Sequence, residues 1–282
     1  MNGPSGAGVG RRTVLLALGL CCIVLVLIVV WFSMEERLHG LLVDLELDGP
    51  DTSRYQALRE AFTQQLPHEL GRFPRHTVTV DYVHFTRLTA KALDPQRVDF
   101  VILSPQGTPW HRYQGDAGRK LEAAKEMIKR VILRDNLPVL GICGGHQFLA
   151  SAFGGAVDFI DPAWSGKRPE RYPKEAVAER GIVPLETMRD DPIFAGVVSH
   201  PGTFRAVESH YEEVKNVPQP FVNLASSAMS AAQLIRIPGK PVYGLAFHPE
   251  RCWNPNECSE SAVPEGRRIL ANFLTMVSRN NH

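Results

Sequence analysis

Residues 138–150 read PVLGICGGHQFLA, which predicts a strand, a tight turn and a helix in direct succession. Pro138 to Ile142 is a short apolar run typical of a buried parallel strand, and a helical pattern follows it. Cys143 stands at the turn, among glycines that permit torsions and close approaches that larger residues block. This is the pattern of a nucleophile elbow. The partial positive charge of a helix N-terminus lowers the pKa of a thiol placed there, so Cys143 is a candidate nucleophile.

Around this stretch, short apolar runs alternate with longer helical patterns. The predicted strands occupy 41–47, 77–85, 98–103 and 138–142. Before the last of them, one helical face carries Leu121, Ala124, Ile128 and Ile132. Such alternation is typical of a parallel sheet covered by helices. We therefore expect an α/β fold with a doubly wound, largely parallel sheet of the flavodoxin type. A terminal helix is expected from Pro264, and 154–194 is expected to be a surface insertion that either shapes the substrate entrance or is only a loop.

The composition excludes some classes of function. The chain has 282 residues, with 31 Lys and Arg against 30 Asp and Glu, a formal charge of +1. Nucleic-acid binding depends on clustered basic residues, which this chain lacks, so nucleic acid is not expected as a partner. Cys252 and Cys258 lack the further ligands of a metal site, and their pairing as a disulfide is left open. We expect no metal and no organic cofactor.

The N-terminal region predicts a membrane anchor. Residues 13–32 read TVLLALGLCCIVLVLIVVWF, twenty uncharged residues; at about 1.5 Å per residue they would span roughly 30 Å, the thickness of a bilayer core. Arg11 and Arg12 precede this run, which places the N-terminus in the cytoplasm and the bulk of the chain outside. The expected organisation is a cytoplasmic tail (1–12), a transmembrane helix (13–32), a linker (33–40) and a catalytic domain (41–282).

A second motif supplies a base for the thiol. Residues 242–250 read VYGLAFHPE, a strand that ends at His248 with Glu250 two residues later. A thiol nucleophile needs a base to exchange its proton and a carboxylate to orient that base. Cys143, His248 and Glu250 are therefore the candidate catalytic residues. His146 and His200 are expected to have local structural roles.

Together, the two motifs resemble the class I glutamine amidotransferase family, whose pattern is G-x-C-x-G-x-Q on the elbow and H-P-E near the end. The resemblance extends from about residue 41 to residue 273. Two further stretches are similar to the family: ILSPQGTP (102–109), which resembles its oxyanion-loop strand, and SHYEEV (209–214), which resembles its glutamine-holding segment.

The resemblance implies hydrolysis of the side-chain amide of glutamine through a thioester on the cysteine. It implies that Gly144 N–H stabilises the oxyanion, with a second donor from Gln106 or Gly107. The loop after Leu103 departs here from the glycine-rich family sequence, so the second donor is left open. The implied substrate-binding residues are Gln147, Ser209, His210 and Tyr211.

Three functions are compatible with these features. The first is glutamine hydrolysis with ammonia passed to a partner synthase, and the second is hydrolysis of another γ-glutamyl amide. The third is a catalytically silent, membrane-anchored scaffold, against which the intact triad argues. A domain outside the cell would favour the γ-glutamyl hydrolase, because a cytosolic synthase needs its ammonia in the cytoplasm.

Overall fold

A computed structural model describes residues 36–49, 56, 59–65, 76–251 and 263–280. The strands are β1 (Glu36–Asp44), β2 (His76–His84), β3 (Phe100–Leu103), β4 (Val139–Ile142), β5 (Val157–Phe159), β6 (Glu179–Thr187), β7 (Thr203–His210), β8 (Glu212–Val214), β9 (Val222–Ser226), β10 (Leu234–Arg236) and β11 (Val242–Leu245). The α-helices are α1 (Gly115–Arg134), α2 (Gly144–Ala152) and α3 (Pro264–Asn280), and a π-helical turn spans Ala61–Gln65.

Nine of these strands form one sheet in the order β2-β1-β3-β4-β11-β10-β9-β6-β7. The first five are mutually parallel, and we call them the parallel half. The other four continue the sheet through antiparallel pairings and form the antiparallel half. Strands β5 and β8 make a separate antiparallel pair.

Apolar side chains cover both faces of the sheet. On one face, Ile269 and Phe273 of α3 pack with Phe62 of the π-helical turn against β1 and β3. On the other face, Leu121 and Ile128 belong to the buried stripe of α1. Because parallel strands are buried on both faces, their sequences are apolar throughout rather than alternating, and this is why β3 and β4 were recognisable.

The predicted α/β class and the large, mostly parallel sheet are confirmed. The antiparallel half was not anticipated, and it changes the interpretation of 154–194, because that segment contributes β6 to the main sheet. Strand β1 begins at Glu36, within the expected linker 33–40. The predicted terminal helix agrees with α3, which begins at Pro264.

The predicted membrane location is contradicted. In the part of the chain that the structure describes, no helix is both long and apolar enough to cross a bilayer. α1 and α3 instead expose a polar face along their length. The run 13–32, on which the prediction rested, lies outside the described residues. The single-pass location, the outward orientation and the membrane partner are therefore dropped.

Candidate active site

Cys143 lies at a sharp turn between β4 and α2. Its backbone adopts φ 49° and ψ −101°, a conformation that L-amino acids rarely take. The neighbouring glycines make this turn possible. A Cβ at Gly145 would lie 2.3 Å from the carbonyl oxygen of Leu103, and a Cβ at Gly144 would lie 2.4 Å from Cγ of Gln106. The elbow therefore depends on glycine at both positions.

His248 reaches the same place from the adjacent strand. β4 and β11 are parallel neighbours, with Ile142 opposite Leu245, so both motifs leave the sheet at the same edge. The backbone N–H of His248 donates to the carbonyl of Val207 on β7 at 2.8 Å. Its Nδ1 lies 2.6 Å from Oε1 of Glu250. With Nδ1 held by the carboxylate, Nε2 is the nitrogen left to exchange a proton with the thiol.

The electrostatics favour an ion pair between Cys143 and His248. Burial raises the pKa of the Cys143 thiol, but the positive charge of His248 outweighs this and the pKa is lowered overall. Burial lowers the pKa of His248, but Glu250 and the thiolate raise it to about 9. At neutral pH the pair is therefore expected to be thiolate and imidazolium, the form in which cysteine acts as a nucleophile.

Both groups face a cavity of about 240 Å³ at the carboxyl ends of the parallel strands. This is where open α/β sheets bind ligands. The cavity is lined by Pro105, Gln106, Gly107, Cys143, Gln147, Tyr172, Ser209, His210, Tyr211, Glu212, His248 and Arg251. All the candidate residues from the sequence are among them except Gly144 and Glu250, which adjoin the cavity through Cys143 and His248.

The oxyanion candidates differ in whether their N–H groups are already engaged. Gly107 N–H donates to Oε2 of Glu46 at 3.0 Å, and the Thr108 hydroxyl donates to Oε1 at 2.8 Å. The N–H groups of Gln106 and Gly144 form no hydrogen bond to another described residue. Gln106 N also lies 2.8 Å from the position of a Cβ on Gly144. In this conformation Gln106 and Gly144 are available to an oxyanion, whereas Gly107 is not.

Gln147 is held at both ends of its side-chain amide. Its Oε1 accepts a hydrogen bond from the indole N–H of Trp110 at 2.6 Å. Its Nε2 donates to the backbone carbonyl of Glu212 at 2.7 Å. The amide that the family resemblance assigns to the substrate is thus used here to join α2 to two parts of the cavity wall.

Tyr172 and Glu212 line the cavity but were not named from the sequence. The Tyr172 ring stacks on Tyr211, with ring centres 4.8 Å apart and planes 4° apart. Its hydroxyl donates to Oε2 of Glu212 at 2.6 Å. Burial raises the pKa of Glu212 to about 7, although this hydrogen bond opposes the rise. The available signals were the expected insertion 154–194 for Tyr172 and the SHYEEV stretch for Glu212.

His210 lies between two buried glutamates. Glu179 on β6 is directly opposite His210 on β7, and Glu208 precedes it on the same face. His210 Nε2 lies 3.4 Å from Oε2 of Glu179 and 3.2 Å from Oε2 of Glu208. Burial opposes protonation of His210, but the two carboxylates raise its pKa well above the ordinary value. A positive charge therefore stands beside Ser209 in the cavity wall.

The remaining candidates have local roles or lie outside the described part. His146 is buried in α2, and burial lowers its pKa to about 3, so it is neutral. His200 Nδ1 lies 3.1 Å from the carbonyl oxygen of Thr187. Cys252 and Cys258 lie outside the described residues, so a disulfide between them is still only a possibility raised by the sequence.

Residues 58–263 match the family described as glutamine amidotransferase class-I. The chain belongs to this family. A glutamine-hydrolyzing GMP synthase subunit from Pyrococcus abyssi is 34% identical to the amidotransferase over 186 residues, which are 66% of this chain and 78% of that protein. The corresponding protein from Methanosarcina barkeri is 31% identical over 209 residues, 72% of this chain and 96% of that protein.

Two further comparisons extend this relationship. Anthranilate synthase component 2 of Methanothermobacter marburgensis is 33% identical to the amidotransferase over 202 residues, 71% of this chain and 79% of that protein. A glutamine amidotransferase from Thermotoga maritima, known from its crystal structure, has a TM-score of 0.55 at 16% identity, covering 87% of this chain and 99% of that chain. The structural likeness supports the fold, and the family relationship makes this chain a cysteine-type glutamine amidotransferase enzyme.

Proposed function

We propose that this amidotransferase hydrolyses the side-chain amide of glutamine and delivers the ammonia to a separate synthase protein. The observation that carries the proposal is the pair of Cys143 and His248, oriented by Glu250 at the wall of the 240 Å³ cavity. A thiol whose pKa is lowered, next to a histidine whose pKa is raised, is what nucleophilic attack on an amide requires.

The reaction follows from the order of these groups around the cavity. The Cys143 thiolate attacks the amide carbon, and the resulting oxyanion accepts hydrogen bonds from Gly144 N–H and Gln106 N–H. The imidazolium of His248 gives its proton to the departing nitrogen, ammonia leaves and a thioester remains. Neutral His248 then takes a proton from water as the water attacks the thioester, and glutamate leaves as the thiolate re-forms.

The antiparallel half would hold the amino-acid end of the substrate. His210 is buried and positively charged, and it faces the same cavity as the thiol. A fixed cation suits the α-carboxylate of glutamine, since charge-assisted hydrogen bonds are the stronger ones. Ser209 and Tyr211 flank His210 and add a hydroxyl group each, and Gln147 completes this wall.

The proposal of a partner rests on the relatives. The GMP synthase protein of Pyrococcus abyssi and anthranilate synthase component 2 are each named as one part of a synthase, and the alignments cover 78% and 79% of their lengths. The location that favoured a hydrolase outside the cell has been dropped, so it no longer opposes delivery of ammonia to a synthase.

One observation favours hydrolysis of a larger γ-glutamyl amide as a second candidate. The stacked rings of Tyr172 and Tyr211 form an aromatic wall within the cavity. Aromatic side chains offer apolar contact to a leaving group bigger than ammonia. This candidate uses the same triad and the same thioester, and it differs only in what leaves first.

The deciding experiment measures glutamate and ammonia released from glutamine by the full chain and by its Cys143→Ala variant. We expect release by the unaltered chain and none by the variant, because the variant lacks the thiol that forms the thioester. Ser151→Ala, on the same helix as the elbow, is the matched control and should keep its activity. Equal release by the unaltered chain and the Cys143→Ala variant would disprove the assignment of Cys143.

A competition assay separates the two candidates. Glutamine and a γ-glutamyl anilide are offered together, and kcat/KM is compared for each. Preference for glutamine supports the amidotransferase proposal, whereas a strong preference for the anilide supports the γ-glutamyl hydrolase. For the partner, addition of a synthase protein should lower free ammonia per glutamate formed; a ratio that stays at one for every such protein tried argues for free release.

A further inference from the structure

Three buried side chains with metal-ligating atoms meet where β6 pairs with β7. They are Glu179, Glu208 and His210, and one ligand atom from each lies within 4.8 Å of the other two. The exposed fractions of the three side chains are 1%, 0% and 3%. Carboxylates are almost never buried this deeply without a partner that balances their charge.

The contacts within this cluster are not those of ordinary hydrogen bonds. Both carboxylate oxygens of Glu208 and the Nε2 atom of His210 are buried without a hydrogen-bond partner among the described residues. Yet Nε2 lies only 3.2 Å from Glu208 and 3.4 Å from Glu179. The lone pairs of these groups converge on a shared space instead of forming directed N–H to oxygen bonds.

The other nitrogen of His210 is already oriented. Nδ1 donates to the backbone carbonyl of Glu212 at 2.9 Å. Histidines that bind metals usually donate their second ring N–H to a carbonyl or carboxylate in this way, which leaves the other nitrogen as the ligand. Glu179 has a comparable outer contact, because it accepts a hydrogen bond from the side chain of Gln233.

We propose that Glu179, Glu208 and His210 bind a zinc ion, with the fourth coordination position facing the active-site cavity. Ligands about 2.0–2.2 Å from a tetrahedral zinc lie about 3.3–3.6 Å from one another, close to the two distances given above. One imidazole and two carboxylates are a donor set that suits zinc. A divalent ion also balances the two carboxylate charges, and His210 in the cavity wall provides the route of entry.

Zinc at this position would reduce glutamine hydrolysis. The ion would occupy His210, the residue proposed above to hold the α-carboxylate of the substrate. This consequence rests on the proposed function, but binding of the ion does not. The two can therefore be tested separately.

Zinc binding is measured by titration calorimetry with the full-length Cys143→Ala protein, so that the active-site thiolate cannot contribute. We expect one zinc per chain, and loss of this binding when Glu208→Gln is added. Loss of an outer contact weakens metal affinity by about 10–100-fold, so loss of a direct ligand should weaken it by more than about 100-fold. Glu186→Gln, an exposed glutamate on β6, is the matched control and should retain the site.

Absence of zinc binding to the Cys143→Ala protein would overturn the proposal, as would equal affinity after Glu208→Gln. Circular dichroism checks that each variant is folded. If Glu208→Gln does not fold, Glu179→Gln replaces it with the same expected loss. A cobalt titration provides an independent measurement: visible bands of tetrahedral Co²⁺ should appear with Cys143→Ala and be absent from the variant that also carries Glu179→Gln and Glu208→Gln.

Discussion

The parallel half of the sheet reaches the cavity with the reacting groups, and the antiparallel half reaches it with fixed charges. From β4 and β11 come Cys143 and His248, at the ends of adjacent parallel strands. From β6 and β7 come Glu179, Glu208 and His210, on the buried face of an antiparallel pair. The first set sits at strand ends, where the backbone can turn sharply. The second set lies within or at the ends of strands, where its geometry depends on cross-strand pairing.

This difference separates two kinds of effect on the enzyme. Changes in the parallel half should alter the chemical step, because thiol, base and oxyanion donors all come from it. Changes in the antiparallel half should alter substrate binding while leaving the chemical step nearly intact. The ratio of kcat effects to KM effects therefore tests whether the two halves are functionally distinct.

The largest effect is expected for Glu250→Gln. The carboxylate raises the pKa of His248 to about 9, against the opposing effect of burial. Without it the pKa falls, and the imidazolium that protonates the departing nitrogen is lost at a lower pH. We expect kcat to drop by about 10²–10⁴-fold and the alkaline limb of the pH profile to move from near pH 9 toward lower pH.

The pH dependence of kcat/KM for the unaltered enzyme, Glu250→Gln and the exposed-site control Glu186→Gln provides the measurement. The control should reproduce the profile of the unaltered enzyme. An alkaline limb that does not move in Glu250→Gln would show that Glu250 does not set the charge of His248. The parallel half would then lack its proposed source of proton control.

Glu46→Gln is expected to have the next largest effect. The buried carboxylate holds Gly107 N–H with one oxygen and the Thr108 hydroxyl with the other. An amide has only one oxygen, so one donor loses its acceptor and the loop that aims Gln106 N–H loosens. Loss of one oxyanion donor costs about 10²–10³-fold in kcat, and we expect a loss of up to about 10²-fold with KM little changed.

The readout for Glu46 is the split between kcat and KM, together with affinity for an aldehyde analogue of glutamine that forms a tetrahedral adduct. Thr108→Val, which removes only the hydroxyl contact, should have the smaller effect. Weakened binding of glutamine with unchanged affinity for the aldehyde would contradict a role in oxyanion stabilisation.

The two halves also differ in how well the sequence predicts them. Buried parallel strands such as β3 and β4 are continuous apolar runs, and the motifs that end β4 and β11 identify Cys143 and His248 directly. β6 reads ERGIVPLET, with a proline and alternating burial, and its place beside β7 depends on long-range pairing. The partnership of Glu179 with His210 therefore cannot be read from local patterns. Glu46 is similar, because its role comes from a loop about sixty residues away.

Tyr172→Phe tests the antiparallel side of the cavity with a smaller effect. The phenol donates to Glu212 at 2.6 Å, and its ring stacks on Tyr211. Phenylalanine keeps the ring but leaves a buried carboxylate without this donor, which should disturb the binding wall. A hydrogen bond to a charged group contributes about 1.5–3 kcal/mol, and we expect part of that, about a tenfold rise in KM. A fall in kcat at constant KM would contradict the division between the halves.

The smallest effect concerns the strain stored at Cys143. A non-glycine residue in such a conformation costs about 1–3 kcal/mol, whereas glycine adopts it freely at an entropic cost of about 0.5–1 kcal/mol. Cys143→Gly should therefore be about 1 kcal/mol more stable than Cys143→Ala in urea denaturation, although both are inactive. At Thr203 on β7, which has an ordinary backbone conformation, the order should reverse and the glycine variant should be the less stable. If alanine is the more stable residue at both positions, the elbow holds its nucleophile without strain, and the two halves differ in chemistry alone.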